Sequence, residues 1–462
     1  MKILWLCNVM LPAVAEQFHI EASNKEGWLS GLADVMLKKQ EENNTELAVA
    51  FPAPAELLTG GEEFFERQIP LQGSVLTGYG FREDVARPDR YDEGLERRMR
   101  QILERCRPDV VHIFGTEYPH TLAMCRVFPD KRRLLITIQG LCSVYANAYF
   151  ADLPGRVKQM RTFRDLVKRD SILQQQEKFE RRGKMEIEAV KLAGNIGGRT
   201  EWDRFYTGQW NPDAKYYVMK ETLRSNFYED RWSRKNCEEH SVFLSQGDYP
   251  IKGLHYMLLA LPEILKEYPD THVYVAGAGI AEYKTLKQKI KISAYGRYLR
   301  ELIIRGGLAD HVTFLGRLDS EQMKERYLKS HLFVCCSSIE NSPNSLGEAM
   351  LLGMPCVSAD VGGIPSIFTD GEDGLLYPGF RSPDNAFDRL PENAGSIAVG
   401  EGEEVLLRNA QALAKAVAEI WRDEKKQAVY CENARVHALR NHNREENYRS
   451  TMEVYSAIVS RD

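Results

Sequence analysis

Short, largely apolar runs recur along the chain and are separated by stretches with helical spacing. The runs are residues 3–7, 47–51, 109–114, 134–138, 242–245, 273–276, 312–315 and 333–336. Apolar runs of this length, bounded by glycine and polar residues, are typical of strands in a parallel sheet that is covered on both faces. The pattern therefore predicts an α/β fold, and a polar connection over residues 221–241 divides the strands into two sets.

A helix is predicted to follow the first strand, beginning at Gly27. Its N-terminus would present free N–H groups at the edge of the sheet, where a phosphate can bind. The first 15 residues also have the small-residue pattern of a short signal peptide. We favour the strand, because Asn8 interrupts the apolar run and only one lysine precedes it.

The stretch of residues 333–378 is the most informative. It predicts a strand, a polar loop, a helix over residues 345–352 that a glycine closes, and a second strand. Glu340 lies in the loop, and Glu348 lies in the first turn of the predicted helix. Loops at the carboxyl ends of parallel strands bind ligands, and a helix N-terminus favours an anion. Two carboxylates there suit a ligand with two polyhydroxyl groups joined by phosphate. The alternative is that the two acids lie near the helix start only because negative charge is favourable at that end of the helix dipole.

This stretch resembles the signature of the family 4 retaining glycosyltransferases. The matching motifs are Glu340 and Glu348 with seven residues between them, Ala349-Met350, Gly353-Met354-Pro355, Gly362-Gly363, and Asp370-Gly371 to Gly374. The resemblance implies the GT-B fold, an α/β architecture of two Rossmann-like doubly wound domains that face each other across a cleft. The implied parts are residues 1–225 for acceptor binding, residues 226–440 for donor binding, and residues 441–462 as a C-terminal helix that returns to the N-terminal domain.

By resemblance, the second domain binds a nucleotide-sugar donor. Glu340 would contact the sugar hydroxyls, Glu348 the ribose and Lys252 the diphosphate, and we predict Glu340 and Lys252 to be catalytic. A lysine at a helix start opposes the helix dipole, which argues against a role for Lys252 as an ordinary exposed lysine. The other predicted donor contacts are the backbone of Asn344, Ser345 and Leu346 at the diphosphate, the backbone of Arg317 and Leu318 at the nucleobase, and Gly247.

Two positions depart from the family pattern. An arginine usually lies a few residues before the lysine, after a glycine, whereas this chain has Gln246-Gly247. Arg199 is the candidate to supply the missing cation, because a guanidinium suits a phosphate; a structural salt bridge is the alternative. The second departure is Gln139, where family members often carry a histidine. A glutamine amide cannot act as a general base.

The acceptor is expected to lie against the first domain. Glu117 and His120 follow a buried strand at its carboxyl edge, and Gln139 follows the next strand. With Gly27, they are the predicted acceptor-binding residues. For His120, the alternative is a residue at a helix start with no chemical role.

Composition and charge limit the classes of binding partner and the cellular location that the sequence predicts. The net charge is −5 with both signs mixed along the chain, which does not favour nucleic-acid binding. No apolar run approaches the roughly 18 residues of a membrane span. Nine cysteines without a C-x-x-C pair predict reduced thiols and a cytoplasmic protein.

Residues 156–191 form a basic segment with helical spacing. They include eleven Lys or Arg against six Asp or Glu, and Met160, Phe163, Leu166 and Val167 fall on one face. Such a face favours peripheral contact with an anionic membrane. A solvated face on ordinary helices is the alternative.

The resemblance implies transfer of a hexosyl group from a nucleotide sugar to an acceptor hydroxyl, with retention at the anomeric carbon. The acceptor would be a glycan or a lipid-linked sugar, in the synthesis of a polysaccharide, a glycolipid or a cell-envelope glycan. Neither a metal ion nor a separate cofactor is expected. Two alternatives stay open: a non-catalytic scaffold that binds nucleotide sugars, and a phosphorylase or epimerase on the same fold.

Overall fold

The structure is a computed structural model that describes residues 1–20, 27–40, 42–58, 61–71, 74–282, 285–380, 387 and 402–460. The chain divides into two compact units. Unit 1 comprises Met1–Ser143, Lys178–Arg224 and His442–Asp462, and unit 2 comprises Val144–Glu177 and Ser225–Asn441. Residues 144–177 thus group with unit 2, although the sequence placed them in the first domain.

The strands of the described residues are numbered in chain order. They are β1 Lys2–Leu6, β2 Glu46–Pro52, β3 Phe64–Leu71, β4 Ser74–Phe81, β5 Val110–Phe114, β6 Leu134–Thr137, β7 Asn195–Gly198, β8 Lys215–Val218, β9 Glu238–Leu244, β10 His272–Ala276, β11 Val312–Gly316, β12 Ser330–Cys335, β13 Cys356–Asp360 and β14 Leu375–Pro378. Each of the apolar runs named above overlaps one of these strands, and the observed bounds differ from the predicted ones by a few residues at most.

The α-helices of the same residues are numbered likewise. They are α1 Pro12–Gln17, α2 Gly27–Lys38, α3 Gly94–Cys106, α4 Pro119–Val127, α5 Cys142–Ala148, α6 Gly155–Lys158, α7 Phe163–Lys168, α8 Ile172–Leu192, α9 Glu201–Trp210, α10 Leu254–Glu267, α11 Leu286–Lys291, α12 Ala294–Arg305, α13 Ser320–Lys329, α14 Asn344–Leu352, α15 Glu403–Arg422, α16 Glu424–Asn441 and α17 Arg444–Val459. None of these described helices is both long and apolar enough to cross a membrane.

Unit 1 is built on an eight-stranded sheet with β1 near its centre. The strand order is β3-β4-β2-β1-β5-β6-β7-β8, and β3 is the antiparallel strand at one edge. α17 packs against α2, and the Trp5 indole donates a hydrogen bond to the Tyr455 hydroxyl at 2.9 Å. The C-terminal helix therefore returns to the N-terminal unit, as the resemblance implied.

The strands β3 and β4 were not placed by sequence reasoning. β4 contains Gly78 and Gly80, and glycine is depleted in strands. Both glycines accommodate side chains of β3: a Cβ at Gly80 would lie 2.3 Å from the Phe65 ring, and one at Gly78 would lie 2.5 Å from Ile69. The Phe65 and Ile69 side chains of β3 occupy the space beside the two glycines of β4. This packing depends on the pairing of the two strands, so the sequence pattern of β4 alone does not predict it.

Unit 2 is built on a six-stranded sheet that is parallel throughout. The strand order is β11-β10-β9-β12-β13-β14. The chain moves outward on one side from β9 to β11 and then returns to the centre with β12. Loops that follow the two central strands of such a sheet diverge and leave room for a ligand at their carboxyl ends.

Candidate functional site

The loops after β9 and β12 are held together by their backbones. A 3-10 turn ends at Lys252, and Gly253 follows with φ 71°. A Cβ at Gly253 would lie only 1.8 Å from the carbonyl oxygen of Cys336, so this position requires glycine for space as well as for conformation. The Ser338 N–H also donates to the Ile251 carbonyl at 2.7 Å. These contacts place Lys252 beside the loop that carries Glu340.

Lys252 and Glu340, the two predicted catalytic residues, form an ion pair. The Lys252 Nζ lies 2.6 Å from Glu340 Oε1, and the Ser337 hydroxyl donates to the same oxygen at 2.7 Å. Burial opposes the charge on Lys252, but the Glu340 carboxylate outweighs it and holds the pKa of Lys252 well above its usual value. Sequence reasoning missed Ser337, which its place directly after β12 could have suggested.

The Gly362-Gly363 motif supports the backbone of Glu340. The Gly363 N–H donates to the Glu340 carbonyl at 2.9 Å. Gly362 has φ 54°, and a Cβ there would lie 2.1 Å from the same carbonyl oxygen. The motif therefore has a physical reason: only glycine lets the two loops approach this closely.

The helix α14 presents its N-terminus at the same edge of the sheet. It begins at Asn344, and no side chain of the preceding residue, Pro343, caps it. The Leu346 N–H donates to the Pro343 carbonyl at 3.0 Å, and the N–H groups that a helix leaves without an intrahelical partner at its start suit an anionic ligand. Glu348 is 4% exposed. It is the fifth residue of the helix, so the prediction that it lies in the first turn was wrong: the helix begins one residue earlier than predicted.

The remaining predicted donor residues also lie in unit 2. Gly247 follows β9, is buried, and would clash with the Leu254 side chain at 2.7 Å if it carried a Cβ. Arg317 is exposed and Leu318 is half-buried, directly after β11, which ends at Gly316 with φ 78°. All of these residues follow the carboxyl ends of parallel strands.

Arg199 lies in unit 1 and is paired. Its Nη1 lies 3.0 Å from Glu221 Oε1 and donates to the Ile138 carbonyl at 2.9 Å. Its Nη2 donates to Gln139 Oε1 at 3.4 Å. Burial raises the pKa of Glu221, and Arg199 opposes that shift. The structure thus contains the structural salt bridge that the sequence left open as the alternative for Arg199.

His120 and Glu117 lie at the carboxyl edge of the unit 1 sheet and are linked through Asn8. His120 is fully buried, with Nδ1 at 2.6 Å from Glu83 Oε2 and Nε2 at 3.1 Å from Asn8 Oδ1. The Asn8 amide donates to Glu117 Oε2 at 3.0 Å. Burial raises the pKa of Glu117. Gly27 begins α2 as predicted. Sequence reasoning missed Glu83 and Asn8, although each follows the end of a strand.

Unit 2 is therefore an α/β domain whose central strands bring a cation, two carboxylates and a helix N-terminus to one edge of the sheet. Residues 227–392 match the family model described as Glycosyl transferases group 1. Over these residues the chain is similar to the group 1 glycosyltransferases, and the resemblance predicted from the sequence is confirmed.

Two curated relatives illustrate the similarity. Spore coat protein SA of Bacillus subtilis (strain 168) is 28% identical over 142 residues, which cover 30% of this chain and 35% of that protein. A phosphatidyl-myo-inositol mannosyltransferase of Mycobacterium leprae (strain TN) is 30% identical over 139 residues, which cover 30% of this chain and 32% of that protein. The similarity thus spans about a third of the length of these relatives.

Solved structures extend the likeness to the whole chain. Sucrose-phosphate synthase from Thermosynechococcus elongatus has a TM-score of 0.63 at 15% identity, with 100% of both chains covered. HepE from Anabaena, in complex with UDP and glucose, has a TM-score of 0.61 at 16% identity, with 99% of this chain and 100% of that chain covered. At such identity the likeness shows the fold alone, and it confirms the predicted GT-B class.

Proposed function

We propose that the protein is a retaining glycosyltransferase that moves a hexosyl group from a nucleotide sugar to an acceptor hydroxyl. The observation that carries the proposal is the Lys252–Glu340 pair at the carboxyl edge of a sheet whose segment matches Glycosyl transferases group 1. The pair lies on loops that follow the two central strands, where the backbone contacts at Gly253 hold it in place.

The donor would be held by complementary charges. Lys252 keeps N–H groups beyond the one that faces Glu340, because an ammonium group has three donors. These donors and the N-terminus of α14 at Ser345 would bind the diphosphate. Glu340 would orient the sugar through its hydroxyls, and Glu348 would bind the ribose. Gly247, Asn344 and Leu346 would line the diphosphate site, and the backbone of Arg317 and Leu318 would contact the base.

The reaction would proceed on one face of the sugar. The bond between the anomeric carbon and the diphosphate oxygen breaks while the bond to the acceptor oxygen forms on the same face. The departing phosphate oxygen takes the proton of the acceptor hydroxyl and leaves as a nucleoside diphosphate. The protein would contribute positioning and stabilisation of the leaving group, with Lys252 as its cation. No metal ion is required in this scheme.

The acceptor would bind to unit 1. The proposed contacts are Gly27, Glu117, His120 and Gln139, which lie at or after the carboxyl ends of β1, β5 and β6. The acceptor would be a hydroxyl of a glycan or of a lipid-linked sugar, and the reaction would serve the cytoplasmic synthesis of a polysaccharide, a glycolipid or a cell-envelope glycan.

The first test is calorimetric binding of nucleoside diphosphates and nucleotide sugars. HepE was solved with UDP-glucose, so UDP sugars come first in the panel. The wild type is compared with Lys252→Ala and Glu348→Ala, and Lys266→Ala is the matched control because Lys266 forms an exposed pair with Glu263. We expect one donor to bind selectively, both site variants to lose at least about tenfold in affinity, and the control to match the wild type.

A second measurement distinguishes the open alternatives. Transfer to an alcohol acceptor with release of a nucleoside diphosphate supports the proposal. Donor binding without turnover on a broad acceptor panel favours the scaffold. Turnover that needs free phosphate, or that converts the sugar without transfer, favours the phosphorylase or epimerase. If donor affinity is unchanged in both site variants, the assigned site is wrong.

A further inference from the structure

The short helix α7 in unit 2 exposes its apolar side chains. Phe163, Leu166 and Val167 are 66%, 60% and 67% exposed. Leu166 and Val167 lie three and four residues after Phe163 in a helix of six residues. The three side chains therefore share one face and form a continuous apolar surface. Contiguous exposed apolar patches with polar rims mark interaction sites.

The orientation of α7 is fixed by buried polar contacts. Asp165 is 1% exposed. Its carboxylate accepts hydrogen bonds from the Thr162 N–H at 3.0 Å and from the Ala294 N–H, at the start of α12, at 2.9 Å. Arg164 bridges Asp165 at 3.0 Å and Asp170 at 2.9 Å. The helix thus turns Asp165 inward and its three large apolar side chains outward, whereas an ordinary surface helix buries its apolar side chains.

The neighbouring helix α11 continues the apolar surface. α11 contacts α7. Leu286 and Ile290, which are four residues apart on one face, are 74% and 51% exposed. Between the helices lies a cavity of about 460 Å³ lined by Arg161, Thr162, Phe163, Lys289, Ile290, Ile292 and Arg297. The cavity therefore combines apolar walls with cations.

Exposed cations lie on the same two segments as this surface. Residues 161–170 and 285–297 contain eight Lys or Arg and two Asp or Glu, and both acids, Asp165 and Asp170, are already bonded to Arg164. Six of the cations are exposed and form no salt bridge with any residue that the structure describes: Arg161, Lys168, Arg169, Lys289, Lys291 and Arg297. We call these cations, together with the exposed apolar residues of α7 and α11, the basic apolar face.

We propose that the basic apolar face docks the protein on an anionic phospholipid membrane. The apolar side chains gain by leaving water for the acyl region, while the surrounding cations meet lipid phosphates. A nucleic acid or an acidic peptide would satisfy the cations but leave the apolar side chains in water. Sequence reasoning had assigned a possible membrane surface to residues 156–191 alone. In the structure, the large apolar residues of that segment that are exposed lie on α7. The helix α11, which is distant in sequence, contacts α7 and extends the surface.

The test is flotation of the full-length protein with sealed vesicles. One set contains phosphatidylcholine with 30 mol% phosphatidylglycerol, chosen as a probe composition, and the other contains phosphatidylcholine alone. The apolar variant is Phe163→Ser/Val167→Ser, and its control is Val429→Ser, because Val429 on α16 is 56% exposed. The charge variant is Lys289→Glu, and its control is Lys425→Glu, an exposed lysine on α16.

We expect the wild type to float with the anionic vesicles and not with the neutral ones. The apolar variant should lose at least about tenfold in partitioning and the charge variant at least about fivefold, with binding further reduced by salt. Both controls should match the wild type. The proposal is overturned if the wild type does not float with anionic vesicles, or if both face variants float as well as the wild type. Donor affinity, measured separately, is independent of each outcome, because the face shares no residue with the proposed donor site.

Discussion

Each of the two sheets has an ion pair between a basic residue and a glutamate at its carboxyl edge, and the two pairs differ in exposure. At the edge of unit 2, Lys252 and Glu340 pair at 2.6 Å, and the lysine side chain remains 21% exposed beside an uncapped helix N-terminus. At the edge of unit 1, Arg199 and Glu221 pair at 3.0 Å with side chains 5% and 4% exposed. The side chain of Lys252 in the first pair is partly exposed, whereas both side chains of the second pair are buried.

This difference shows that position alone does not identify a ligand-binding charge. Both pairs follow strands of parallel sheets, where ligands commonly bind. In a buried ion pair, removal of one partner leaves an uncompensated charge that destabilises the fold. A pair with an accessible cation can exchange contacts with an anionic ligand. The variants below test the comparison, beginning with the largest expected effect.

Gly253→Ala should break the ion pair between Lys252 and Glu340. Gly253 has φ 71° and would clash with the Cys336 carbonyl, whereas Gly371 has φ 72° and open space around it. We expect Gly253→Ala to weaken donor binding at least roughly 100-fold, because the loops that carry Lys252 and Glu340 must separate. The control Gly371→Ala should cost about 1–2 kcal/mol of unfolding free energy and leave donor affinity unchanged. Calorimetry and denaturant unfolding measure both, and equal donor affinities in the two variants would contradict the assignment.

Arg199→Met should destabilise unit 1 without affecting donor binding. The variant leaves Glu221 buried and unpaired, which costs about 3–5 kcal/mol. Hydrogen exchange at β6 and β7 amides reports the loss, and the double variant Arg199→Met/Glu221→Met should recover most of it. If Arg199→Met instead weakens donor binding at full stability, then Arg199 supplies the cation that the family pattern lacks, and the comparison between the two pairs fails.

The pH dependence of unit 1 should depend on Glu186. Its carboxylate is fully buried and accepts from the Thr116 hydroxyl at 2.6 Å and the Cys142 N–H at 2.9 Å. Burial raises the pKa of Glu186 to about 7 despite these bonds. A carboxyl whose folded pKa is raised holds its proton more tightly in the folded state, so its contribution to stability is lost as pH rises from about 4.5 to 7.

We expect that loss to amount to about 3 kcal/mol between pH 4.5 and 7, from roughly 1.4 kcal/mol per pKa unit. Glu186→Gln should remove this part of the pH dependence. Denaturant unfolding of both proteins across the range measures it. The pKa of Lys252 in unit 2 is raised as well, but that group stays protonated throughout this window and contributes no slope. An identical pH slope in wild type and variant would contradict the prediction.

Arg317→Ala should have the smallest effect. The side chain is exposed, and the proposed contact with the base uses the backbone. Donor affinity should stay within roughly twofold and stability within about 0.5 kcal/mol, as for other exposed substitutions. The same calorimetric titration checks this expectation. A tenfold loss would mean that the side chain itself binds the donor, and the accessible part of unit 2 would then extend to β11.

The residues that the sequence predicted for the carboxyl edge of the second sheet share a local signal. Glu340, Glu348 and the Gly362-Gly363 turn lie within one short stretch of the chain, so their spacing records the loop and helix that carry them. Glu83, Asn8 and Glu186 lack such a signal, because each bonds to a partner that lies far away in sequence: 37 residues separate Glu83 from His120. Their roles depend on which strand ends become neighbours in the sheet.

The sequence by itself determined the two sets of parallel strands and the motif that resembles the glycosyltransferase signature. It could do so because apolar runs and glycine positions encode local backbone conformation and burial. Only the tertiary structure decided which charges are accessible, that Arg199 forms a buried ion pair with Glu221, and that α7 and α11 contact each other. The physical reason is that accessibility and pairing depend on distances between segments remote in sequence, and these distances are fixed only when the sheets and helices pack.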